Sequence, residues 1–160
     1  MPITRDDVLR ALAPVMEVVK SISPDAADAA TELQKALPLS HPALVAVREI
    51  VRQGVLEKSL AVRESQAPGG GVVRFERLHK ATDPQSLSVD LVHMSSPGPG
   101  HRHPNGEIDL CFAVDSGATF DGRAEGWTVY GKESWHVPTV ASGSMDILYF
   151  LPGGAIVFDA

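Results

Sequence analysis

The stretch "HRHPNGEIDLCF", residues 101–112, decides the fold of this chain, because it joins candidate metal ligands to the start of a strand. His101 and His103 stand two positions apart, so an extended backbone directs both side chains to the same side. The "PNG" that follows predicts a turn, after which Glu107 can return to that side. The segment therefore indicates either half of a metal site or polar residues solvated at the surface.

A third histidine, His136, lies in "GKESWHVPTV", on a later predicted strand. Three imidazoles and one carboxylate are a common donor set for Fe(II), Mn(II), Ni(II) or Zn(II), with positions left open for substrate or water. We therefore expect a divalent transition metal ion bound by His101, His103, Glu107 and His136.

The composition is that of an ordinary globular protein of 160 residues with a net charge of −6. This charge argues against nucleic acid and against an anionic membrane surface as partners, because no basic patch is available. The one cysteine excludes an intramolecular disulfide. No apolar run reaches the roughly 18 residues of a membrane span, and we expect a cytoplasmic protein.

The chain divides near "ESQAPGGG", residues 64–71. Residues 1–66 carry apolar side chains at helical spacing and predict three or four short helices, which pack on the rest of the protein or on a second subunit. Residues 70–160 consist of short apolar runs separated by glycine and proline, as in an antiparallel sandwich or small barrel.

Local signals place the helix boundaries in the first part. Thr4 and Asp7 form a capping-box pair, and Pro14 is expected to bend or break the helix that follows. Ser23 and Pro24 predict the start of a second helix, and a third is expected to begin within residues 40–42.

The histidine segments also carry a family resemblance. They are similar to the paired motifs of the cupin superfamily, whose members are small β-barrels with a metal in the mouth. The matching residues are Gly100, His101, His103, Glu107 and Gly117 in the first motif, and Gly131, His136 and Pro138 in the second. The resemblance implies a mainly β fold with a helical N-terminal portion, a cupin-like antiparallel β-barrel (double-stranded β-helix) over residues 70–160, and a homodimer.

A narrower resemblance covers the full length. The helical first part followed by "HRHPNGEIDLCF", "GWTVYG", "WHVPTV" and "ILYFLPGGAIVF" resembles the bacterial 4-hydroxylaminobenzoate lyase family. That resemblance implies a lyase of nitrobenzoate breakdown, which converts 4-hydroxylaminobenzoate to 3,4-dihydroxybenzoate and releases ammonia.

The implied reaction needs a group that moves protons. Glu107 and His93 are the candidates, and Glu107 acts either as a metal ligand or as the proton carrier. His93 continues the apolar face of Leu87, Val89 and Leu91, so it is expected to point inward.

A substrate carboxylate is best held by an arginine. Arg77 alternates with Val73 and Phe75 on a predicted strand and is the better inward candidate, while Arg102 lies between the two histidines and should face away from them. Tyr149 is the candidate aromatic contact for the substrate ring.

Two other functions remain open on the sequence alone. The chain could be another cupin metalloenzyme, such as an iron dioxygenase or an isomerase acting on a small acid. It could also be a barrel that binds a small ligand without chemistry.

Overall fold

The computed structural model describes residues 1–159. Three helices come first: α1 (Arg5–Val19), α2 (Ala29–Ala36) and α3 (Pro42–Leu56). The strands that follow are β1 (Arg63–Gln66), β2 (Val72–His79), β3 (Leu87–Met94), β4 (His101–His103), β5 (Glu107–Ala113), β6 (Thr119–Phe120), β7 (Gly126–Tyr130), β8 (Ser134–His136), β9 (Val140–Ala141), β10 (Met145–Pro152) and β11 (Val157–Phe158).

The strands form one large sheet and two small ones. The large sheet has the order β1-β2-β3-β10-β5-β7, the second has the order β11-β4-β8, and the third pairs β6 with β9. Every pairing is antiparallel. Phe120 and Val140 of the smallest sheet share one apolar cluster with Ile147 of the large sheet, so these two sheets face each other. The fold is a mainly β, cupin-like sandwich with a helical N-terminal portion, and it differs from the expected barrel in that its sheets do not join into a closed cylinder.

The two faces of the large sheet bury different sets of side chains, because successive residues of a strand point to opposite sides. Leu148 and Phe150 of β10 belong to a core shared with the helices. Ile147 and Tyr149 belong to the core between the sheets. The helices thus cover one face of the large sheet, and the other face forms the floor of the sandwich.

The helix signals of the sequence are partly confirmed. The capping box at Thr4 and Asp7 is present. The expected break at Pro14 is wrong, since α1 continues to Val19 with Pro14 exposed on its outer side, where water can solvate the carbonyl left unpaired. None of the helices within residues 1–159 is long and apolar enough to cross a membrane.

The second helix does not begin at Ser23 and Pro24 as predicted, but at Ala29. The Ser23 hydroxyl instead accepts the backbone N–H of Asp25 in a turn, and the Asp25 carboxylate accepts the backbone N–H of Lys132. A contact between residues far apart in sequence therefore replaces the first turns of the predicted helix.

Candidate metal centre

The short strand β4 and its neighbours bring the predicted ligands together. Along β4 the side chains of His101 and His103 are buried, and Arg102 between them points out. Gly106 adopts a φ of 87° in the turn after β4, where an added Cβ would lie 2.6 Å from Pro24. This turn returns the chain so that Glu107 opens β5 on the same side as the histidines.

The third imidazole comes from β8, which pairs with β4 so that His136 lies directly opposite His101. The Nε2 atoms of His101, His103 and His136 lie 3.5, 3.1 and 3.5 Å from the Glu107 carboxylate oxygens. One ligand atom from each of the four residues falls within 4.8 Å of the others. The four side chains predicted from sequence thus converge on one point.

Hydrogen bonds on the outer side of each ring fix the histidine tautomers. His101 Nδ1 donates to the Pro99 carbonyl at 3.2 Å, and His136 Nδ1 donates to the Asp121 carboxylate at 2.6 Å. His103 Nδ1 lies 2.9 Å from the Ser134 hydroxyl, which donates its own proton to a carbonyl and therefore accepts from the ring. With the Nδ1 atoms bonded on the outer side, the Nε2 atoms are the ones that face the cluster and can bind a metal, as in histidines that ligate a metal.

The centre of the cluster is polar and leaves its atoms unsatisfied. Within residues 1–159, His103 Nε2 and both carboxylate oxygens of Glu107 are buried and have no hydrogen-bond partner. Such atoms are costly in a protein interior unless a ligand or ion binds them. A metal ion would satisfy these atoms at once, so the residues fit a divalent transition metal.

The charges of the cluster also suit a cation. Burial alone would raise the pKa of Glu107, but its interactions with the three imidazoles hold that pKa well below its usual range. Burial lowers the pKa of His136, but its hydrogen bond to Asp121 and the negative charges of Glu107 and Asp121 outweigh this effect and raise the pKa to about 9. Without a metal, His136 is therefore protonated near neutral pH. A metal cation that binds Nε2 would displace this proton and replace its positive charge.

A cavity of about 1050 Å³ reaches the cluster at His101. Tyr149 lines it with its ring centroid 6.2 Å from that of His101. Arg77 also lines it, held by two hydrogen bonds of 2.7 and 3.0 Å from its guanidinium to Asp90. Two of the side chains predicted to bind substrate thus share one cavity with a candidate ligand.

The expectation that His93 points towards the site is wrong. His93 does continue the face of Leu91, but that face packs against the helices and not between the sheets. Its Nδ1 bonds to Asp146 at 2.8 Å, and Asp146 in turn lies 3.5 Å from Arg52 of α3. The apolar face of β3 in the sequence predicted that His93 points inward, but not which of the two cores that face borders.

Arg102, the second candidate for the substrate carboxylate, faces away from the histidines as expected, and this direction contradicts its role as a substrate ligand. It forms an ion pair with Glu133 on the outer surface of the small sheet and is absent from the lining of the cavity. The alternation along β4 that buries both histidines forces this outward direction.

Sequence reasoning missed three polar residues around the cluster. Asp109 is fully buried on the same face of β5 as Glu107, and the period of two along "EID" could have indicated it. Burial and the charge of Glu107 raise the pKa of Asp109 well above its usual range. Ser134 and Asp121, which bond to the histidines, carried no such signal, because the first lies in a short strand and the second in a loop.

Fold and site together define a cupin-like protein with a three-histidine, one-carboxylate candidate metal centre. The model of the family described as PnbB, 4-hydroxylaminobenzoate lyase, matches residues 10–158. The chain belongs to this family of lyases.

Two relatives that carry the family's name agree with this assignment. The 4-hydroxylaminobenzoate lyase of Nocardioides sp. (strain LMS-CY) is 31% identical over 124 residues, which cover 71% of this chain and 70% of the relative. The enzyme of the same name from Pseudomonas putida is 32% identical over 81 residues. This match covers 48% of this chain and 46% of the relative's length. Among solved structures, the DMSP lyase DddQ from Ruegeria pomeroyi DSS-3 is 17% identical, with 94% of each chain covered and a TM-score of 0.45.

Proposed function

We propose that this protein is a metal-dependent lyase that converts 4-hydroxylaminobenzoate to 3,4-dihydroxybenzoate and ammonia. The observation that carries the proposal is the convergence of His101, His103, His136 and Glu107 beside a cavity, in a chain of this lyase family. The reaction consumes one water and needs no external oxidant, because the N–O bond is reduced while ring carbon C3 is oxidised to C–OH, and an oxygen replaces the nitrogen at C4, which leaves as ammonia. An enzyme of this kind has no need of oxygen.

The four clustered side chains are the proposed metal ligands. When bound, a divalent metal would supply a Lewis acid for the hydroxylamine oxygen. Glu107 fits the role of ligand better than that of proton carrier, because its carboxylate is fully buried and faced by three Nε2 atoms. The hydrogen bonds that the histidine Nδ1 atoms donate to Pro99, Ser134 and Asp121 would hold the rings in place while substrate exchanges.

The cavity beside His101 is the proposed substrate site. Arg77 offers a guanidinium for the substrate carboxylate, and Asp90 fixes its orientation through two hydrogen bonds. Tyr149 lies between this pair and the cluster, since β10 pairs with β3 so that Tyr149 is opposite Asp90. The same cavity offers the Arg77 guanidinium to the acid group of a flat aromatic substrate and His101 of the cluster to its nitrogen-bearing end.

The decisive test is turnover without oxygen. The purified protein, loaded with Fe(II), Mn(II), Ni(II) or Zn(II) in turn, is incubated anaerobically with 4-hydroxylaminobenzoate while ammonia and 3,4-dihydroxybenzoate are measured. We expect equal amounts of both products with at least one metal. Turnover that requires oxygen would indicate a dioxygenase, and no turnover with any of the metals would contradict the lyase.

The metal ligands are tested in the same assay. His101→Ala and His136→Ala are expected to lose both bound metal and turnover. His93→Gln, on the opposite face of the sheet, serves as the matched control and is expected to keep both. Wild-type protein that binds none of the metals would reject the proposed centre.

A further inference from the structure

We infer that Asp121 is a positioning residue of the metal centre, which sets the tautomer of His136 and holds Tyr130 against the histidine rings. The inference rests on the proposed metal site and is independent of the substrate. Asp121 lies in the loop after β6 and is not one of the four candidate ligands.

The contact with His136 determines which of its nitrogens is free. His136 Nδ1 lies 2.6 Å from Asp121 Oδ2, and an ionised carboxylate only accepts hydrogen bonds. Nδ1 must therefore carry a proton, which leaves Nε2 as the metal-binding atom. The Asp121 side chain is only 15% exposed, so water competes weakly for this hydrogen bond.

The backbone holds Asp121 in place for this contact. Its φ of 50° lies in the left-handed region, which non-glycine residues adopt at a cost and mainly where their surroundings enforce it. Its second oxygen accepts the backbone N–H of Thr139 at 2.8 Å, and its own N–H donates to the Thr139 carbonyl at 2.8 Å. The carboxylate thus has one oxygen fixed to the backbone and the other turned to the site.

The same oxygen connects a second aromatic ring to the centre. The Tyr130 hydroxyl donates to Asp121 Oδ2. The Tyr130 ring lies 4.2 Å from the ring of His136 and stacks on His103 at 5.5 Å between centroids. One carboxylate therefore orients a ligand directly and packs an aromatic ring against two of the three imidazoles.

Asp121→Asn tests the inference with little change in shape. The amide oxygen can still accept from Thr139, but its NH₂ group would face His136 Nδ1 and favour the tautomer protonated on Nε2. We expect Co(II), used as the probe, to bind about 10–100-fold more weakly, as for other residues that orient metal-bound histidines. We also expect an altered visible absorption spectrum of bound Co(II), because one imidazole is lost or displaced, while the circular dichroism of the metal-free protein is unchanged.

Two variants serve as controls. Asp115 is another carboxylate that accepts a backbone N–H, in this case that of Ser144, but it is exposed and lies outside the cluster. Asp115→Asn should therefore leave Co(II) binding as in wild type. Tyr130→Phe keeps the bond between Asp121 and His136, so its Co(II) affinity should fall less than that of Asp121→Asn. If Asp121→Asn does not fold, Asp121→Gly, which removes the acceptor for His136 Nδ1 and adopts a φ of 50° without strain, is measured with the same expectation.

The outcomes separate this inference from the proposed reaction. Wild-type affinity and spectrum in Asp121→Asn would overturn the positioning role, whatever the substrate. A wild-type protein that binds Co(II) but does not turn over 4-hydroxylaminobenzoate would overturn the reaction and leave the Asp121 result standing. A wild type that does not bind Co(II) would overturn the metal centre and this inference together.

Discussion

Two arginines of similar exposure provide a test of substrate recognition at the scale of single residues. Arg77 lines the cavity, whereas Arg102 pairs with Glu133 on the outer surface. We expect Arg77→Gln to raise KM about 10–100-fold with a smaller effect on kcat, because a hydrogen bond to a charged group contributes roughly 1.5–3 kcal/mol. Arg102→Gln should leave steady-state kinetics unchanged, and an equal rise in KM for both variants would reject the assignment of Arg77.

The proton on His136 predicts how metal binding depends on pH. Because the pKa of His136 in the metal-free protein is raised to about 9, a metal that binds Nε2 at pH 7 must displace a proton. The apparent metal affinity should therefore rise about tenfold per pH unit from neutral pH and level off above the pKa of His136. Titration calorimetry in buffers of different ionisation enthalpy measures the protons released, and release of none at pH 7 would contradict this origin.

Individual residues also show where the sequence was informative. The ligands were predictable because the period of two along β4 and the turn at Gly106 are local features. The direction of the His93 side chain could not be predicted, because an apolar strand face can pack on helices or on another sheet. The role of Asp121 could not be predicted either, because it depends on a loop that folds back beside β8 and brings the carboxylate to His136.

At the scale of elements, α1 contains a proline that the fold tolerates. Pro14 lies in the helix interior and is exposed, so it removes one backbone hydrogen bond without a packing benefit. Pro14→Ala should therefore raise the free energy of unfolding by about 1–3 kcal/mol, less than the full helix-propensity difference because alanine also increases the entropy of the unfolded chain. Urea unfolding followed by circular dichroism measures the change.

Pro38 offers the matched comparison, because it follows α2 and lies outside any helix. Pro38→Ala should give no gain in stability and a small loss, since only the entropy of the unfolded chain changes. A similar gain in both variants would show that the helix interior is not the cause. The sequence suggested a break at Pro14 because local rules count the missing hydrogen bond but not the packing of Val15 and Val19 beyond it.

At the scale of the whole molecule, the helices and the sandwich share one large core. Leu12 of α1, Leu33 of α2 and Val47 of α3 belong to the same buried cluster as Leu148 and Phe150 of β10. The sequence showed apolar stripes on the helices but not what covers them, because both a sheet face and a second subunit satisfy the same pattern. In the structure, the sheet face that carries the helices is the back of the face that carries Glu107, while the three histidines come from the separate sheet of β4 and β8.

This arrangement predicts one unfolding transition for both layers. Trp127 reports on the helix side through its indole N–H bond to the Leu37 carbonyl, and Cys111, the one cysteine of the chain, is fully buried on the other face. In the metal-free Trp135→Phe variant, Trp127 fluorescence and the reactivity of Cys111 with a thiol reagent should change at the same denaturant concentration. Because a metal held by β4, β5 and β8 binds only the folded state, its addition should shift both midpoints upward together. Helices that detach before Cys111 becomes reactive would show instead that the two layers unfold separately.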